Sequence, residues 1–232
     1  AGVLGALTTY TEIRRSTLCA EQAPALVEAA ATIGAVQIQN RGTLGGNIAN
    51  ASPAGDTLPV LLAMDGVYDS AGRLDESHTD FLMSNDAVLE AAAAAPRLLA
   101  GVSINPARRD AIDELERCAA KGAALVKVLP NAQVFDPADK RHIPFFKALA
   151  RLKIPLLSHV GFEFSLIGQD QSVGDPARLI PALDEGVTVI AAHGCSYGVF
   201  LYEKYFGTMQ DLVRRYPRFF VDTSALTLPN RA

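Results

Sequence analysis

The chain has 232 residues, of which 49% are hydrophobic and 20% are charged, with a formal net charge of -4 and an isoelectric point near 5.6. This composition is typical of a globular protein with ample core material, and the acidic balance without a basic cluster argues against nucleic acid and membrane surfaces as partners. We therefore expect a small-molecule substrate. No apolar run reaches the roughly 18 residues of a membrane span and no secretory signal is evident, so a cytoplasmic location is expected.

The cysteines Cys19, Cys118 and Cys195 are far apart in the sequence and have no metal-type spacing. This pattern favours buried small hydrophobic residues over a disulfide framework or a zinc site.

The opening segment predicts a strand over residues 2–9, a short helix over 10–16 and an alanine-rich helix over 23–33. A loop rich in glycine and small polar residues follows at 36–56. Glycines at 42, 45 and 46 permit positive φ and can bring successive N–H groups close to an anion, as in diphosphate-binding loops. Taken alone, such a loop is either a simple turn or a cofactor cradle.

The specific strings are more informative. Residues 38–56, Ile-Gln-Asn-Arg-Gly-Thr-Leu-Gly-Gly-Asn-Ile-Ala-Asn-Ala-Ser-Pro-Ala-Gly-Asp, with residues 5–15 before them, resemble the FAD-binding subunit of molybdenum hydroxylases of the xanthine and carbon monoxide dehydrogenase type. The resemblance covers about residues 1–64 and implies a small α+β fragment of an FAD-binding domain. It implies these cofactor-binding residues: Gly42, Thr43, Gly45, Gly46, Asn47 and Asp56. The family's earlier Gly-rich diphosphate loop is not in this sequence.

The second segment, residues 65–232, contains short apolar runs of the kind that buried parallel strands show, separated by stretches of helical periodicity. The runs lie at residues 98–105, 124–127, 154–159, 187–193 and 219–222. This alternation predicts an α/β fold, a partial (β/α)8 TIM-type barrel of about five βα units. Ligand sites in such sheets lie beyond the carboxyl ends of the strands. The polar strand ends therefore share one rim: Asn105, Lys127, His159, His193 and Asp222.

The sequence also predicts where the intervening helices lie, and for some of them the N-cap or the buried face. Ser84 or Asn85 can cap a helix over residues 87–95. A second helix, over 109–121, is predicted to bury Ile112, Leu115, Cys118 and Ala119. Further helices are predicted over residues 142–152, 176–184 and 201–216.

Two histidines at consecutive strand ends, His159 and His193, can approach one ion, because adjacent strands lie about 4.8 Å apart. For either residue alone a buried core histidine bonded to backbone is the favoured interpretation, but the repetition at equivalent positions favours a site. Lys127 is expected to point into the barrel mouth. Asp222 is either a catalytic carboxylate or a second-layer hydrogen-bond partner.

Residues 101–106, 125–131, 157–161, 189–194 and 221–225 resemble the amidohydrolase superfamily of metal-dependent hydrolases, in the branch related to aminocarboxymuconate-semialdehyde decarboxylase. The resemblance implies a divalent metal, zinc above all, with His159 as a ligand and His193 as a ligand or acid/base. It implies that Lys127 binds a substrate carboxylate or, when carbamylated, bridges two metals; the first is preferred. The family's His-x-His pair and its last-strand aspartate are not found in this sequence.

The sequence therefore predicts a metal-dependent hydrolase that acts on a small carboxylated substrate, with His193, Lys127 and Asp222 as catalytic residues. The alternatives are an FAD-binding electron-transfer module and a non-catalytic fusion remnant joined near residues 58–66. The loop at 161–174 is predicted to contact substrate, and His78 and His142 are expected to be exposed and without a role. The open strand edges of a partial barrel favour a homo-oligomer.

Overall fold

The structure, a computed structural model, describes residues 8–22, 27, 30–31, 39–40, 42–43, 60–95, 98–163, 170–195 and 205–222. Its strands are β1 (Val60–Leu62), β2 (Leu99–Ser103), β3 (Ala123–Val128), β4 (Leu156–His159), β5 (Val189–Ala192) and β6 (Phe219–Val221). Its α-helices are α1 (Tyr10–Arg15), α2 (Thr17–Gln22), α3 (Asn85–Ala94), α4 (Ala111–Ala120), α5 (Pro130–Gln133), α6 (Ile143–Leu152), α7 (Ile180–Asp184) and α8 (Phe206–Arg215). Short 3-10 helices lie at Glu76–His78, Lys140–His142, Gln171–Gly174, Pro176–Leu179 and His193–Cys195. The strand predicted at 2–9 and the helix predicted at 23–33 fall largely outside the described residues.

The strands form one parallel six-stranded sheet in the order β1 to β6, so each strand pairs with the next one along the chain. The predicted α/β class is confirmed, and all of the predicted strand runs in the second segment form strands. The sheet also contains β1, which the sequence did not reveal. It has three residues and pairs Val60, Leu61 and Leu62 with β2.

Local capping explains where two of the helices begin. At α1, the Thr9 hydroxyl accepts from the Glu12 amide at 3.2 Å, and the Thr9 amide donates to the Glu12 carboxylate at 2.8 Å, a complete capping box. At α3, the Ser84 hydroxyl accepts from the Ala87 amide at 3.2 Å. Ser84 is therefore the N-cap, and Asn85 is the first helical residue.

The buried face of α4 differs from the predicted one. Ala111, Leu115 and Cys118 are buried, whereas Ile112 is 36% exposed. Positions 111, 115 and 118 follow the spacing of four and three residues that lines one helix face, and residue 112 is turned about 100° away from it. Cys19 and Cys118 are buried, as predicted, and burial raises the pKa of the Cys118 thiol to about 12.

Alternation along the strands gives the sheet two different faces. The face under the helices is apolar and fully buried, with Val102, Val126, Leu156, Val189 and Phe219 in the main hydrophobic core. The opposite face contains Ser103 opposite Lys127, and Lys127 opposite Leu157. His159 lies two residues after Leu157, on the same face. This second face therefore holds the chemistry-bearing side chains.

Candidate functional site

The carboxyl ends of β3 to β6 bring four predicted rim residues to one edge of the sheet. Lys127 is 5% exposed, His159 is 1% exposed and Asp222 is 9% exposed. His193 follows β5 directly, and its ring centroid lies 5.1 Å from that of His159, with the ring planes at 58°. The structure thus brings the two histidines together.

The backbone at His193 is unusual. Its φ is 69°, in the left-handed region that residues with a Cβ rarely adopt. Since Ala192 pairs with His159 in the ladder, an uninterrupted strand would turn the next side chain to the helix face. The left-handed turn interrupts this alternation where the His193 ring meets His159. Strained backbone of this kind is concentrated at functional sites.

Asp222 holds this turn in place. Its Oδ1 atom accepts a hydrogen bond from the His193 amide at 2.9 Å, and its own amide donates to the Ala191 carbonyl at 3.0 Å. Of the two roles considered for Asp222, these contacts correspond to the second-layer one. The carboxylate acts on the backbone that positions the imidazole.

His159 is enclosed by the chain that follows it. Its Nε2 lies 3.3 Å from the carbonyl oxygen of Phe162, and its Nδ1 lies 3.6 Å from Oε2 of Glu163, which is 6% exposed. Sequence analysis missed Glu163 as a site residue. The available signal was its position four residues after His159, at the start of the loop already predicted to contact substrate.

The loop carrying Glu163 is closely tied to its surroundings. The Gln171 side chain accepts from the Glu163 amide and donates to the Glu163 carbonyl, each at 2.9 Å, and Asn131 donates to Gln171 at 3.1 Å. At the base of the loop, the Gly161 amide donates to the Gly174 carbonyl at 2.7 Å. A Cβ on Gly174 would lie 1.9 Å from the Gly161 oxygen, so this approach requires glycine.

Asn105, the fifth predicted rim residue, is fully buried and forms hydrogen bonds with the chain that follows the first and third strands. Its amide donates to Asp65 at 2.8 Å, and its side-chain nitrogen donates to the carbonyls of Gly66 and Gln133 at 3.0 and 2.8 Å. Asp65 also accepts from the Tyr68 hydroxyl at 2.8 Å. Burial, with the adjacent Asp65 charge, raises the pKa of Tyr68 well above its usual range. This cluster links the carboxyl ends of the first two strands.

The two remaining histidines behave differently from each other. His78 is exposed, as predicted, and pairs with Asp75 at 2.8 Å. The expectation of exposure was wrong for His142, which is 5% exposed and packs edge-on against Phe135 with ring centroids 5.7 Å apart. Burial lowers the pKa of His142. Its charged sequence neighbours did not reveal this tertiary packing.

Two of the six predicted cofactor-binding residues, Gly42 and Thr43, lie within the described residues. The Gly42 carbonyl accepts from the Tyr10 amide at 3.2 Å, and Thr43 forms an antiparallel bridge with Thr9. The other predicted cofactor residues, Gly45, Gly46, Asn47 and Asp56, lie outside the described residues.

The described side chains around His159 and His193 do not complete the predicted metal site. Across the described ranges, no group of three or more His, Cys, Asp or Glu residues is arranged to hold a metal ion. A catalytic zinc ion takes three protein ligands, and the sequence prediction named only His159 and His193. Both ring nitrogens of His159 also face oxygen atoms of the chain.

Comparison with known proteins gives a sequence family for the opening residues and a fold for most of the chain. Residues 2–90 match the family model described as the FAD binding domain in molybdopterin dehydrogenase. The predicted resemblance of the opening segment is confirmed. Among similar proteins, the alpha subunit of the 6-hydroxypseudooxynicotine dehydrogenase complex of Paenarthrobacter nicotinovorans is 45% identical over 62 residues. The glyceraldehyde dehydrogenase medium chain of Sulfolobus acidocaldarius is 42% identical over 62 residues.

These alignments cover 27% of this chain but only 21% and 22% of the two relatives, so the chain spans about a fifth of their length. A solved TIM-barrel protein from Bordetella bronchiseptica, itself uncharacterized, is similar over 94% of this chain and 70% of its own. Its TM-score is 0.51 at 18% identity, which confirms the predicted TIM-type fold and extends no further than the fold. Within the part of the chain that the structure describes, no helix is long and apolar enough to cross a membrane.

Proposed function

We propose that the second segment catalyses an acid–base reaction, hydrolysis or decarboxylation, on a small carboxylated substrate at the rim of its sheet. The observation that supports this most directly is the pair of imidazoles 5.1 Å apart, on adjacent strand ends, with a left-handed backbone at His193. A TIM-type fold hosts many unrelated chemistries, so the proposal depends on these side chains and not on the fold.

Three of the five rim residues, His193, Lys127 and Asp222, have a chemical role in this proposal. His193 is the general acid or base, because imidazole exchanges protons near neutral pH and its backbone is fixed by Asp222 at 2.9 Å. Lys127 binds the substrate carboxylate, since its ammonium group is opposite in charge and lies on the same face two strands away. Asp222 is a positioning residue, and its contact with the amide of His193 keeps the imidazole at the rim.

A zinc-dependent version of this reaction was predicted from the family resemblance. It is not part of the proposal, because the described side chains lack a third ligand. Metal analysis of the purified protein tests that prediction directly. The expected homo-oligomer and cytoplasmic location likewise stay predictions, for which light scattering and cell fractionation are the measurements.

The experiment is a His193→Gln substitution assayed on panels of small carboxylated esters, lactones and aromatic acids. Loss of a general acid or base lowers kcat by about 10²-fold to 10⁴-fold. His78→Gln is the matched control, because His78 is exposed and makes only a local ion pair with Asp75. Equal activity in the His193 variant and the wild type, or no turnover of any panel member by the wild type, would contradict the proposal.

A second candidate function is FAD binding by the opening segment, favoured by the match of residues 2–90 to the FAD-binding family model. Both relatives named above are described as subunits or chains of dehydrogenases, and this chain covers about a fifth of each. We propose the diphosphate loop around Gly42 and Thr43 as the contact region. A purified protein that is colourless and takes up no FAD in equilibrium dialysis would exclude this candidate.

A further inference from the structure

The strap, residues 134–142 between α5 and α6, ends on a buried histidine. His142 is 5% exposed, and its ring packs edge-on against Phe135 of the same strap, with centroids 5.7 Å apart. The backbone of Pro106, which lies in the connection after β2, is hydrogen-bonded to the ring. Since proline has no backbone N–H, its carbonyl accepts this bond and the imidazole donates it. His142 therefore ties the strap to the connection after β2.

The surroundings of His142 suit a neutral ring. Pro106, Phe135 and Pro137 belong to the lining of one apolar pocket. His142 is also the N-cap residue of α6, where its side chain makes no capping hydrogen bond. The N-terminus of a helix carries a partial positive charge, which disfavours a cation at this position. An imidazolium would bring a full charge and a second N–H donor into this setting.

The charged groups that act on the ring come from the strap itself. Burial is the largest influence and lowers the pKa of His142; Asp139 and Asp136 act in the opposite direction, and Arg141 acts in the same direction as burial. Both carboxylates already have a cationic partner, Asp139 with Arg141 at 2.6 Å and Asp136 with Arg178 at 2.6 Å. The net direction favours the neutral ring in the closed strap.

The other end of the strap is strained. Val134 has a φ of 53°, in the left-handed region that a β-branched residue rarely adopts, and its side chain is 37% exposed. Inside the strap the backbone bonds are local, from the Asp139 amide to the Asp136 carbonyl and from the His142 amide to the Asp139 carbonyl, each at 3.0 Å. A segment of this kind opens more readily than a core strand.

We propose that the strap is an acid-sensitive switch: neutral His142 keeps it closed against the Pro106 connection, and protonated His142 releases it. This inference goes beyond the proposed function, because it holds whether or not the rim turns over a substrate. Release would still reach the rim. The strap follows α5 directly, and Gln133 in α5 donates to the Ser103 hydroxyl at 3.2 Å, beside Lys127 in the sheet.

The direction and size of the effect follow from proton linkage. The closed strap lowers the pKa of His142, so the closed state is stabilised fully above the ordinary histidine value of about 6.5, and this stabilisation is lost as the pH falls toward the lowered pKa. Within that window the ratio of open to closed strap rises by up to about tenfold for each pH unit. Asp139 does not titrate there, because hydrogen bonds from Arg141 lower its pKa to about 2.

The test is amide hydrogen exchange of the full chain, followed by NMR between about pH 7.5 and pH 5 and corrected for the intrinsic pH dependence of exchange. In the wild type, the amides of Asp139 and His142 should exchange at a constant corrected rate above about pH 6.5 and faster below it. The amide of Val126 in β3 should show no such rise. The ring signals of His142, assigned by their loss in His142→Gln, should titrate at a lower pH than those of the exposed His78.

Two variants that cannot titrate connect the exchange to the imidazole. His142→Gln keeps a side-chain donor for the Pro106 carbonyl and should remove the rise below pH 6.5, and His142→Phe, which fills the same space, is the second variant if the glutamine loosens the strap at neutral pH. His78→Gln is the matched control and should keep the rise. A flat exchange profile in the wild type, a titration of His142 at or above the pH of His78, or an undiminished rise in both His142 variants would overturn the inference.

Discussion

Removal of the Asp65 carboxylate tests whether the first strand end is anchored as the structure indicates. The side chain is 4% exposed and accepts from four donors: the amides of Gly66 and Asn105 at 2.9 and 2.8 Å, the Tyr68 hydroxyl at 2.8 Å and Arg108 at 3.4 Å. In Asp65→Ala all four donors lose this acceptor at once.

The size of the loss follows from which donors have another partner. Arg108 keeps two bonds to Asp110, at 3.0 and 2.9 Å, so its charge is still paired. The buried amide of Asn105 loses the acceptor described for it, and an unsatisfied buried donor costs about 1 to 3 kcal/mol. With the tyrosine hydroxyl and the second amide included, we expect a decrease of about 3 kcal/mol in the free energy of unfolding, near the lower end for a broken buried charge pair. Against a typical stability of about 5 to 15 kcal/mol, this is a large fraction.

Urea unfolding followed by circular dichroism measures the difference. Asp110→Asn is the control, because it contacts the same arginine with a carboxylate that is 56% exposed, and exposed pairs contribute less than about 1 kcal/mol. A loss below about 1 kcal/mol in Asp65→Ala, or equal losses in the two variants, would refute the assignment of Asp65 as the anchor.

Two more changes have clear expected outcomes. Gly174→Ala should destabilise the chain by about 1 to 3 kcal/mol in the same urea assay, because the new Cβ would meet a backbone carbonyl at 1.9 Å. Gly207→Ala is the control, since nothing lies within 4 Å of its Cβ position. It should be neutral or stabilise α8 by about 0.5 kcal/mol. Hydrogen bonds from Lys121 and Arg117 lower the pKa of Asp86 from 3.8 to about 2. A depressed folded-state pKa gives a contribution that is complete above about pH 4 and is lost as the pH falls toward 2. Asp86→Asn should therefore reduce the steepness of acid unfolding in this window, and an identical pH profile would contradict the expectation.

The strands were predictable because each buried parallel strand leaves a local signature, an apolar run between segments of helical period. Leu156–His159 and Val189–Ala192 fall inside the predicted runs for this reason. Strand β1 was not predictable in the same way. Its three residues, Val-Leu-Leu, form no run long enough to distinguish from a buried loop, and the partner that makes them a strand is 39 residues away in the register of Val60 with Leu99.

The candidate site was predictable only in part, since strand ends are local features but contacts between loops are not. Side chains alternate between the two faces of a strand, so His159 is on the same face as Leu157, which pairs with Lys127. This alternation can be predicted from the sequence. The carboxylate of Glu163 comes close to His159 only when the chain turns back after β4. That turn is held by a glutamine eight residues after Glu163 and by a glycine with no room for a side chain. The burial of His142 likewise depends on Phe135, and no pattern in the charged residues around it could indicate that contact.

The boundary predicted near residue 64, between the part of the chain that resembles FAD-binding subunits and the part that resembles amidohydrolases, lies inside the parallel sheet. The family model for the FAD-binding domain extends to residue 90, while the parallel sheet already begins at Val60. A division after residue 64 would remove the ladder between β1 and β2 and the bond from the Ala63 amide to the Gly101 carbonyl at 2.8 Å. It would also uncover Gly101, whose position is closed by Leu62 at 2.4 Å from where a Cβ would stand. Residues 60–64 therefore belong energetically to the sheet, whichever family their sequence resembles.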